Sequence, residues 1–212
     1  FARDDTAMAG TFRAAMAKLD YLASLNINAI EIMPISAVWM DRWWGYTPDN
    51  IFAVESTYGG RRALLEFVKA AHQHGIGVIL DVVYNHLSHD PGLDLWQFDG
   101  WSENNLGGIY FYNDWRAHTP WGESRPDYGR PEVRQYITDN TAMWLRDCHV
   151  DGLRVDSSLY IRNVEGKNND PNHDLADGWK VLQEITQAAE HAKPGAIVIA
   201  EELAAANIGG LA

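Results

Sequence analysis

Residues 78–86 read VILDVVYNH, residues 150–156 read VDGLRVD and residues 197–202 read IVIAEE. Each stretch contains an apolar, strand-like run that leads into acidic side chains, and segments with helical spacing separate the three stretches. A carboxylate at the end of an apolar strand is costly unless it faces a polar cleft, because burying an unpaired charge is strongly unfavourable. The pattern therefore predicts a parallel barrel whose acids gather at the carboxyl-terminal rim, where barrel enzymes place their chemistry.

Helical and strand-like segments alternate along the chain. Helices are predicted to begin at Thr11, residue 61, Pro131 and Leu175, and strands are predicted over 27–33, 76–83, 150–155 and 196–200. This order is typical of right-handed βαβ units around a parallel sheet. A complete eight-stranded barrel takes about 250 residues. We therefore expect an α/β fold that is part of a (β/α)8 TIM barrel.

Two segments of the chain lack a regular period. Residues 38–58 are rich in Trp, Gly and Pro and are predicted to form a loop, and residues 87–130 are rich in Gly, Asp, Asn and aromatics. An irregular segment as long as the second is usually functional in a compact domain, so residues 87–130 are predicted to line a cleft. The whole of 1–212 is interpreted as one partial barrel domain, and both ends look cut, since the chain starts at Phe1 without a Met.

Composition limits the partners of the protein. The net charge is −12, which disfavours nucleic acid and anionic membranes as partners because both need clustered Lys and Arg. No apolar run approaches the roughly 20 residues that span a bilayer. The single cysteine, Cys148, excludes an internal disulfide and a cysteine-based zinc site. It is compatible with a reducing compartment, and we expect a cytoplasmic location.

The pair Arg154 and Asp156 is the first candidate for chemistry. The two side chains point to the same side of their strand, because side chains alternate across a strand. A guanidinium beside a carboxylate lowers the pKa of the carboxylate and keeps it ionised, which is the state that a nucleophile needs. A structural ion pair that closes the strand is the alternative, and these residues alone favour neither interpretation.

The other strand ends add further polar candidates. Asp81 and His86 are expected at the rim with Asn85 between them, although polar residues there are often only turn formers. Glu201 and Glu202 are adjacent and lie on opposite faces of their strand. Strand parity does not decide between them, because residues 197–200 are all apolar, as in strands buried on both faces. Either could donate a proton if its pocket were apolar enough.

Aromatic residues in the loops indicate a class of ligand. Their flat faces pack well on the C–H faces of sugar rings, and nearby Asp, Asn and His could bind hydroxyl groups. The alternative is a small satellite core beneath the long loops, but the group as a whole favours a ligand-lined cleft. The residues are Trp39, Trp43, Trp44, Tyr46, Trp96, Trp101, Tyr110, Tyr112, Trp115 and Trp121.

Other hydrolytic and binding chemistries find less support. A Ser-His-Asp hydrolase would need a G-x-S-x-G elbow, and the sequence has none. It also lacks a phosphate-cradling glycine-rich loop and an H-x-x-x-H spacing for a metal. Paired carboxylates that act on a glycosidic bond fit the residues best.

Together these motifs resemble the α-amylase superfamily, glycoside hydrolase family 13. Its members carry D-x-x-x-N-H after the third barrel strand, G-x-R-x-D on the fourth and an acidic motif on the fifth. Here residues 81–86 read DVVYNH, residues 152–156 read GLRVD and residues 200–202 read AEE. The resemblance places this chain at about strands two to five. Three further stretches look most like glycogen branching enzymes and maltooligosyltrehalose trehalohydrolases: residues 44–48, 119–122 and 150–154.

The resemblance implies a role for each matching residue. It makes Asp156 the nucleophile that forms a covalent glycosyl-enzyme and Glu201 the general acid and base. It makes Arg154 the group that holds the nucleophile ionised. Asp81 and His86 would bind the sugar at the cleaved bond.

Three more positions follow from the same resemblance. Tyr46 would stack on the sugar. Asn85 matches a position that ligates a structural calcium ion in many amylases, although branching-type members often lack that ion, so we expect no other metal and no cofactor. Ser157 and Ser158 replace the Ala that commonly follows the nucleophile.

The implied activity is that of a retaining enzyme on an α-glucan or oligosaccharide, of the 1,4-α-glucan branching type. Hydrolysis of α-1,4-glucan or of maltooligosyltrehalose is the alternative within enzymes. The family also has an Asn-His-Asp near the seventh strand, which nothing after Glu202 supplies. We therefore expect the missing half of the barrel in a longer protein and no activity from these 212 residues alone. A non-catalytic carbohydrate-binding remnant is the alternative of another class.

Overall fold

The computed structural model describes residues 10–39, 44–90 and 95–202. Its strands in chain order are β1 (Ala29–Ile32), β2 (Ser36–Ala37), β3 (Asn50–Val54), β4 (Gly77–Val82), β5 (Gly152–Val155) and β6 (Ile197–Ala200). β1, β4, β5 and β6 form one parallel sheet in that order. These are the four predicted strands, and the predicted parallel arrangement is confirmed.

Helices precede and connect the parallel strands. They are α1 (Phe12–Met16), α2 (Leu19–Ser24), α3 (Gly60–Gln73), α4 (Pro131–Ala142), α5 (Ser158–Arg162) and α6 (Ala176–Ala192), and a π-helical turn (Met143–Asp147) extends α4. The Thr11 hydroxyl accepts a hydrogen bond from the Ala14 N–H at 3.1 Å and so caps α1. Pro131 occupies the first turn of α4, where its missing N–H costs nothing.

The hydrophobic core lies between the sheet and these helices. Leu64, Phe67 and Val68 of α3 are buried, and so are Val78 and Leu80 of β4. Sheet and helices therefore form the layered arrangement of an α/β domain. Within the described ranges, the sheet has four parallel strands and no closed barrel, and no helix is long and apolar enough to cross a membrane.

The loop predicted over 38–58 contains a strand. β3 pairs with β2 in a two-stranded antiparallel sheet, and Ile51 is only 3% exposed. The prediction was wrong because the Trp, Gly and Pro residues of this segment all lie within 39–48, whereas the run Ile51 to Val54 consists of strand formers and one Ala. α5 was also not predicted.

The irregular segment after β4 forms a satellite core of its own. Phe111, Tyr112 and Tyr128 are fully buried in it. Arg125 is also buried and donates hydrogen bonds to the carbonyls of Arg116, His118 and Val164, which ties the segment to the loop after α5. Part of this segment therefore forms the satellite core that sequence analysis gave as the alternative to a ligand-lined cleft.

Several of the aromatic candidates remain exposed on these loops. Trp43 lies outside the described residues. The large exposed rings among the others are Trp39, Trp44, Trp101, Trp115 and Trp121.

Candidate active site

One arginine joins three carboxylates at the carboxyl ends of the parallel strands. Arg154 Nη1 lies 2.8 Å from Asp81 Oδ1 and 2.8 Å from Asp156 Oδ1, and Nη2 lies 2.6 Å from Glu201 Oε1. The side chains are largely buried, with exposed fractions between 1% for Asp81 and 20% for Glu201. The structure thus brings together Asp81, Arg154, Asp156 and Glu201, all of which the sequence had singled out.

Strand register explains why these four side chains meet. Asp81 of β4 lies opposite Arg154 of β5, and Arg154 lies opposite Ile199 of β6. Side chains two positions apart share a face. Asp156 therefore shares the face of Arg154, and Glu201 shares the face of Ile199.

The strand register also decides between Glu201 and Glu202, which side-chain alternation along the strand could not do. Glu201 faces Arg154, whereas Glu202 forms an ion pair with Arg162 of α5 and accepts a hydrogen bond from the Ser158 hydroxyl at 3.1 Å. Glu202 therefore belongs to a neighbouring structural cluster.

Asp156 is subject to opposing effects of burial and neighbouring groups on its pKa. Burial raises its pKa to about 6, and the negative charges of Asp81 and Glu201 act in the same direction. The Asn85 amide, which donates to Asp156 Oδ2 at 2.8 Å, and Arg154 oppose this rise. Arg154 lowers the pKa of Asp156, as predicted, but burial outweighs this effect, so the net shift is upward. Ionisation is still favoured at pH 7.

Asp81 is held from two sides. Besides Arg154, the Tyr46 hydroxyl donates a hydrogen bond to Asp81 Oδ2 at 2.7 Å. Burial nevertheless raises the pKa of Asp81. The loop can carry Tyr46 there because the preceding Gly45 has φ +91°, and a Cβ at Gly45 would come within 2.5 Å of the Pro34 carbonyl oxygen.

His86 is buried beside this cluster and is neutral. Burial lowers its pKa to about 3. Its Nδ1 contacts the amide oxygen of Asn85, which only accepts, so Nδ1 carries the proton and Nε2 is an acceptor. Nε2 is buried and makes no hydrogen bond with the described residues.

Trp121 is a residue of the site to which sequence reasoning gave no specific role. Its indole stacks on the His86 imidazole with ring centroids 4.7 Å apart and planes at 13°, and it is 41% exposed. It was one of many loop aromatics, and no spacing in the sequence connects it with His86. Trp121 differed from most of them only in lying within residues 119–122, which resemble glycogen branching enzymes and maltooligosyltrehalose trehalohydrolases.

The surroundings of Asn85 do not fit a calcium ligand. Its amide nitrogen donates to Asp156 and its amide oxygen accepts from His86, so both ends of the side chain bind protein groups. The side chain is also fully buried. Among the described residues no group of three or more His, Cys, Asp or Glu side chains is placed to hold a metal ion.

Comparison with known proteins finds α-amylase-type relatives of this chain. The family model described as "Alpha amylase, catalytic domain" matches residues 1–97. The malto-oligosyltrehalose trehalohydrolase of Rhizobium sp. (strain M-11) is 47% identical over 150 residues, which are 70% of this chain and 23% of that protein. The 1,4-alpha-glucan branching enzyme GlgB of Oceanobacillus iheyensis is 36% identical over 195 residues, 87% of this chain and 30% of the enzyme.

The fold comparison agrees. A crystal structure assigned as an alpha amylase from Salmonella typhimurium superposes with a TM-score of 0.68 at 33% identity, over 90% of this chain and 29% of that one. The chain thus spans less than a third of the length of each of these three proteins. The strand order, the motifs and these matches agree, and the chain is similar to part of an α-amylase catalytic domain.

Proposed function

We propose that the protein of which this chain forms part is a retaining enzyme that acts on α-glucans, of the 1,4-α-glucan branching type. One observation carries the proposal: Asp156 and Glu201 share the guanidinium of Arg154 at the carboxyl ends of the parallel strands. Retaining glycosidases need two carboxyl groups close enough to act on one sugar, one as nucleophile and one as acid and base.

The first step of the proposed reaction forms a covalent intermediate. An Asp156 oxygen attacks the anomeric carbon while Glu201 gives its proton to the glycosidic oxygen, so that the C–O bond breaks and the leaving chain departs with a free hydroxyl. The nucleophile must be ionised for this step. A pKa of about 6 for Asp156 leaves it ionised at neutral pH.

The second step releases the sugar. Glu201, now a carboxylate, takes a proton from a hydroxyl group of another glucan chain, and that oxygen attacks the anomeric carbon and displaces Asp156. Two inversions give net retention. If water takes the place of the sugar hydroxyl, the same steps give hydrolysis.

The remaining residues are proposed to bind and orient the sugar. Asp81 accepts hydrogen bonds from sugar hydroxyls and is held in place by Arg154 and Tyr46. His86 is proposed to border the sugar site beside Asp81, with its Nε2 buried in this structure. The ring of Tyr46 packs on the sugar face.

Maltooligosyltrehalose hydrolysis is the second candidate. It is favoured by the higher identity to trehalohydrolases, 47% over 150 residues, than to a branching enzyme, 36% over 195 residues. The two activities differ in whether water or a sugar hydroxyl intercepts the intermediate.

Incubation of the full-length protein with amylose tests the proposal. Branching should lower the iodine colour without new reducing ends, and hydrolysis of amylose should produce reducing ends. Release of trehalose from maltooligosyltrehalose would identify the second candidate. The matched Asp156→Asn variant should show none of these activities. Binding of amylose without any turnover would instead support a non-catalytic carbohydrate-binding protein and contradict the proposal.

A further inference from the structure

Ser157, which follows Asp156, has a strained backbone that turns it toward Glu201. Its φ and ψ are +43° and +50°, the left-handed region that residues with a side chain seldom adopt and that occurs preferentially at functional sites. In this conformation its N–H donates to Glu201 Oε2 at 2.8 Å, and its hydroxyl lies 3.4 Å from the same oxygen. The backbone thus brings two polar groups of Ser157 to one carboxylate oxygen.

The two oxygens of Glu201 have different neighbours. Oε1 lies 2.6 Å from the guanidinium of Arg154, which is permanently charged and can only donate hydrogen bonds. A proton on Glu201 is therefore favoured on Oε2, beside Ser157. The Ser157 N–H can also only donate, whereas its hydroxyl can donate to a carboxylate or accept from a protonated carboxyl group.

Few other groups can influence this proton. The charged side chains that face Glu201 are Arg154 and Asp156 of the β5 end and Asp81 of β4. From α5, Arg162 pairs with Glu202 instead. The Ser157 hydroxyl is the one neutral side-chain group that the described residues place within hydrogen-bond distance of Oε2.

We propose that Ser157 is a positioning residue for proton transfer by Glu201, a role that rests on the proposed function. Its hydroxyl accepts from the protonated Oε2 before the glycosidic bond breaks and donates to the same oxygen once the proton has gone to the leaving group. Ser157 keeps its own proton throughout. The Ala that commonly occupies this position in the family has no hydroxyl and cannot do this.

Variants of Ser157 and its neighbour test the proposal in the full-length protein. Ser157→Ala and Ser157→Gly both remove the hydroxyl, but only Gly relieves the strained backbone. Both should move the alkaline limb of the kcat/KM–pH profile upward by about 0.5 pH unit, because the hydrogen bond that the hydroxyl donates to the charged carboxylate is stronger than the one that it accepts from the neutral carboxyl group. Ser158→Ala is the matched control, since that hydroxyl donates to the Glu201 backbone carbonyl at 2.7 Å and to Glu202. The control should leave the limb in place.

Three results would overturn the proposal: an unmoved alkaline limb in both Ser157 variants, a shift in Ser157→Gly alone, or an equal shift in Ser158→Ala. If the protein has no activity on glucans, the proposed function fails, but the role of Ser157 can still be read directly. Carbon-13 NMR of glutamate-labelled protein, with the signal assigned by Glu201→Gln, follows the protonation of this carboxyl group. Ser157→Ala and Ser157→Gly should move its titration midpoint upward, and an unchanged midpoint would overturn the proposal.

Discussion

Arg154 sets the electrostatics of the site, and its charge is divided among three acids. With Asp81, Asp156 and Glu201 all ionised, the cluster carries more negative than positive charge. Burial raises the pKa of Asp156 and Asp81, and the close carboxylates add to the effect. Arg154 therefore orders the carboxylates without holding the pKa of Asp156 below its usual range.

The pH dependence of activity should report this balance. Asp156 must be ionised to attack, so kcat/KM of the full-length protein should fall as the pH drops through about 6, the pKa of this carboxyl group. Asp81→Asn removes a neighbouring negative charge and should shift this acidic limb to lower pH, whatever it does to the rate. Asp139→Asn, an exposed change on α4, should leave the limb in place.

A different acidic limb of the kcat/KM–pH profile would contradict this account of the charges around Asp156. A wild-type acidic limb below about pH 4.5 would mean that Arg154 dominates Asp156. An upward shift in Asp81→Asn would mean that the negative charge of Asp81 does not act on Asp156.

At the scale of single residues, the sequence predicted much of the site because strand periodicity is local. Arg154 and Asp156 share a face by parity alone. The choice of Glu201 over Glu202 depends on the pairing of β5 with β6, which no local pattern contains. The stacking of Trp121 on His86 also joins distant parts of the chain and could not be read from spacing.

At the scale of elements, one buried amide connects the antiparallel strands to the helices. Asn140 of α4 donates to the Ile51 carbonyl of β3 at 2.7 Å and accepts from the Tyr84 hydroxyl at 2.7 Å and from Trp144 Nε1 at 2.9 Å. All of these groups lie in the interior. The strand that sequence analysis missed is thus fixed by a contact between residues 89 positions apart.

Asn140→Ala should be strongly destabilising. It leaves the Ile51 carbonyl and Trp144 Nε1 buried without this partner, and the Tyr84 hydroxyl keeps only a 3.5 Å contact with the Thr141 hydroxyl. Each buried group that loses its partner costs about 1–3 kcal/mol. We expect the free energy of unfolding to fall by about 3 kcal/mol or more, measured by urea denaturation of the full-length protein. Gln135→Ala on the same helix, which removes only an exposed bond to Asp139, is the control and should change it by less than about 0.5 kcal/mol. An equal effect of the two changes would contradict the role of Asn140.

At the scale of the whole molecule, the sheet has two outer strands, β1 and β6, to which no further parallel strand of the described residues is paired. Ile197 on β6 is 50% exposed, and an apolar groove of about 760 Å³ lies beside β1, lined by Ile30, Ile32 and Phe67 among others. Unpaired apolar edges favour association.

Alternation of helices and strands was enough to predict the parallel sheet, since each βαβ unit is local.

The 212-residue chain expressed alone should therefore self-associate in size-exclusion chromatography with light scattering. Ile197→Lys places a charge on the β6 edge and should reduce the association several-fold. Tyr21→Lys, an exposed change on α2, is the control and should not. A wild-type chain that elutes as a stable monomer would contradict this view of the edges.

Covalent trapping tests the central claim most directly. The full-length protein carrying Glu201→Gln cannot protonate a poor leaving group, but it should still react with an α-maltosyl fluoride, whose fluoride leaves without protonation. We predict a mass increase of one maltosyl group on the peptide that contains Asp156, identified by tandem mass spectrometry and absent from Asp156→Asn. Attachment of the sugar to Asp81 or to another carboxylate, or turnover with an inverted product, would contradict the assignment of Asp156 as nucleophile.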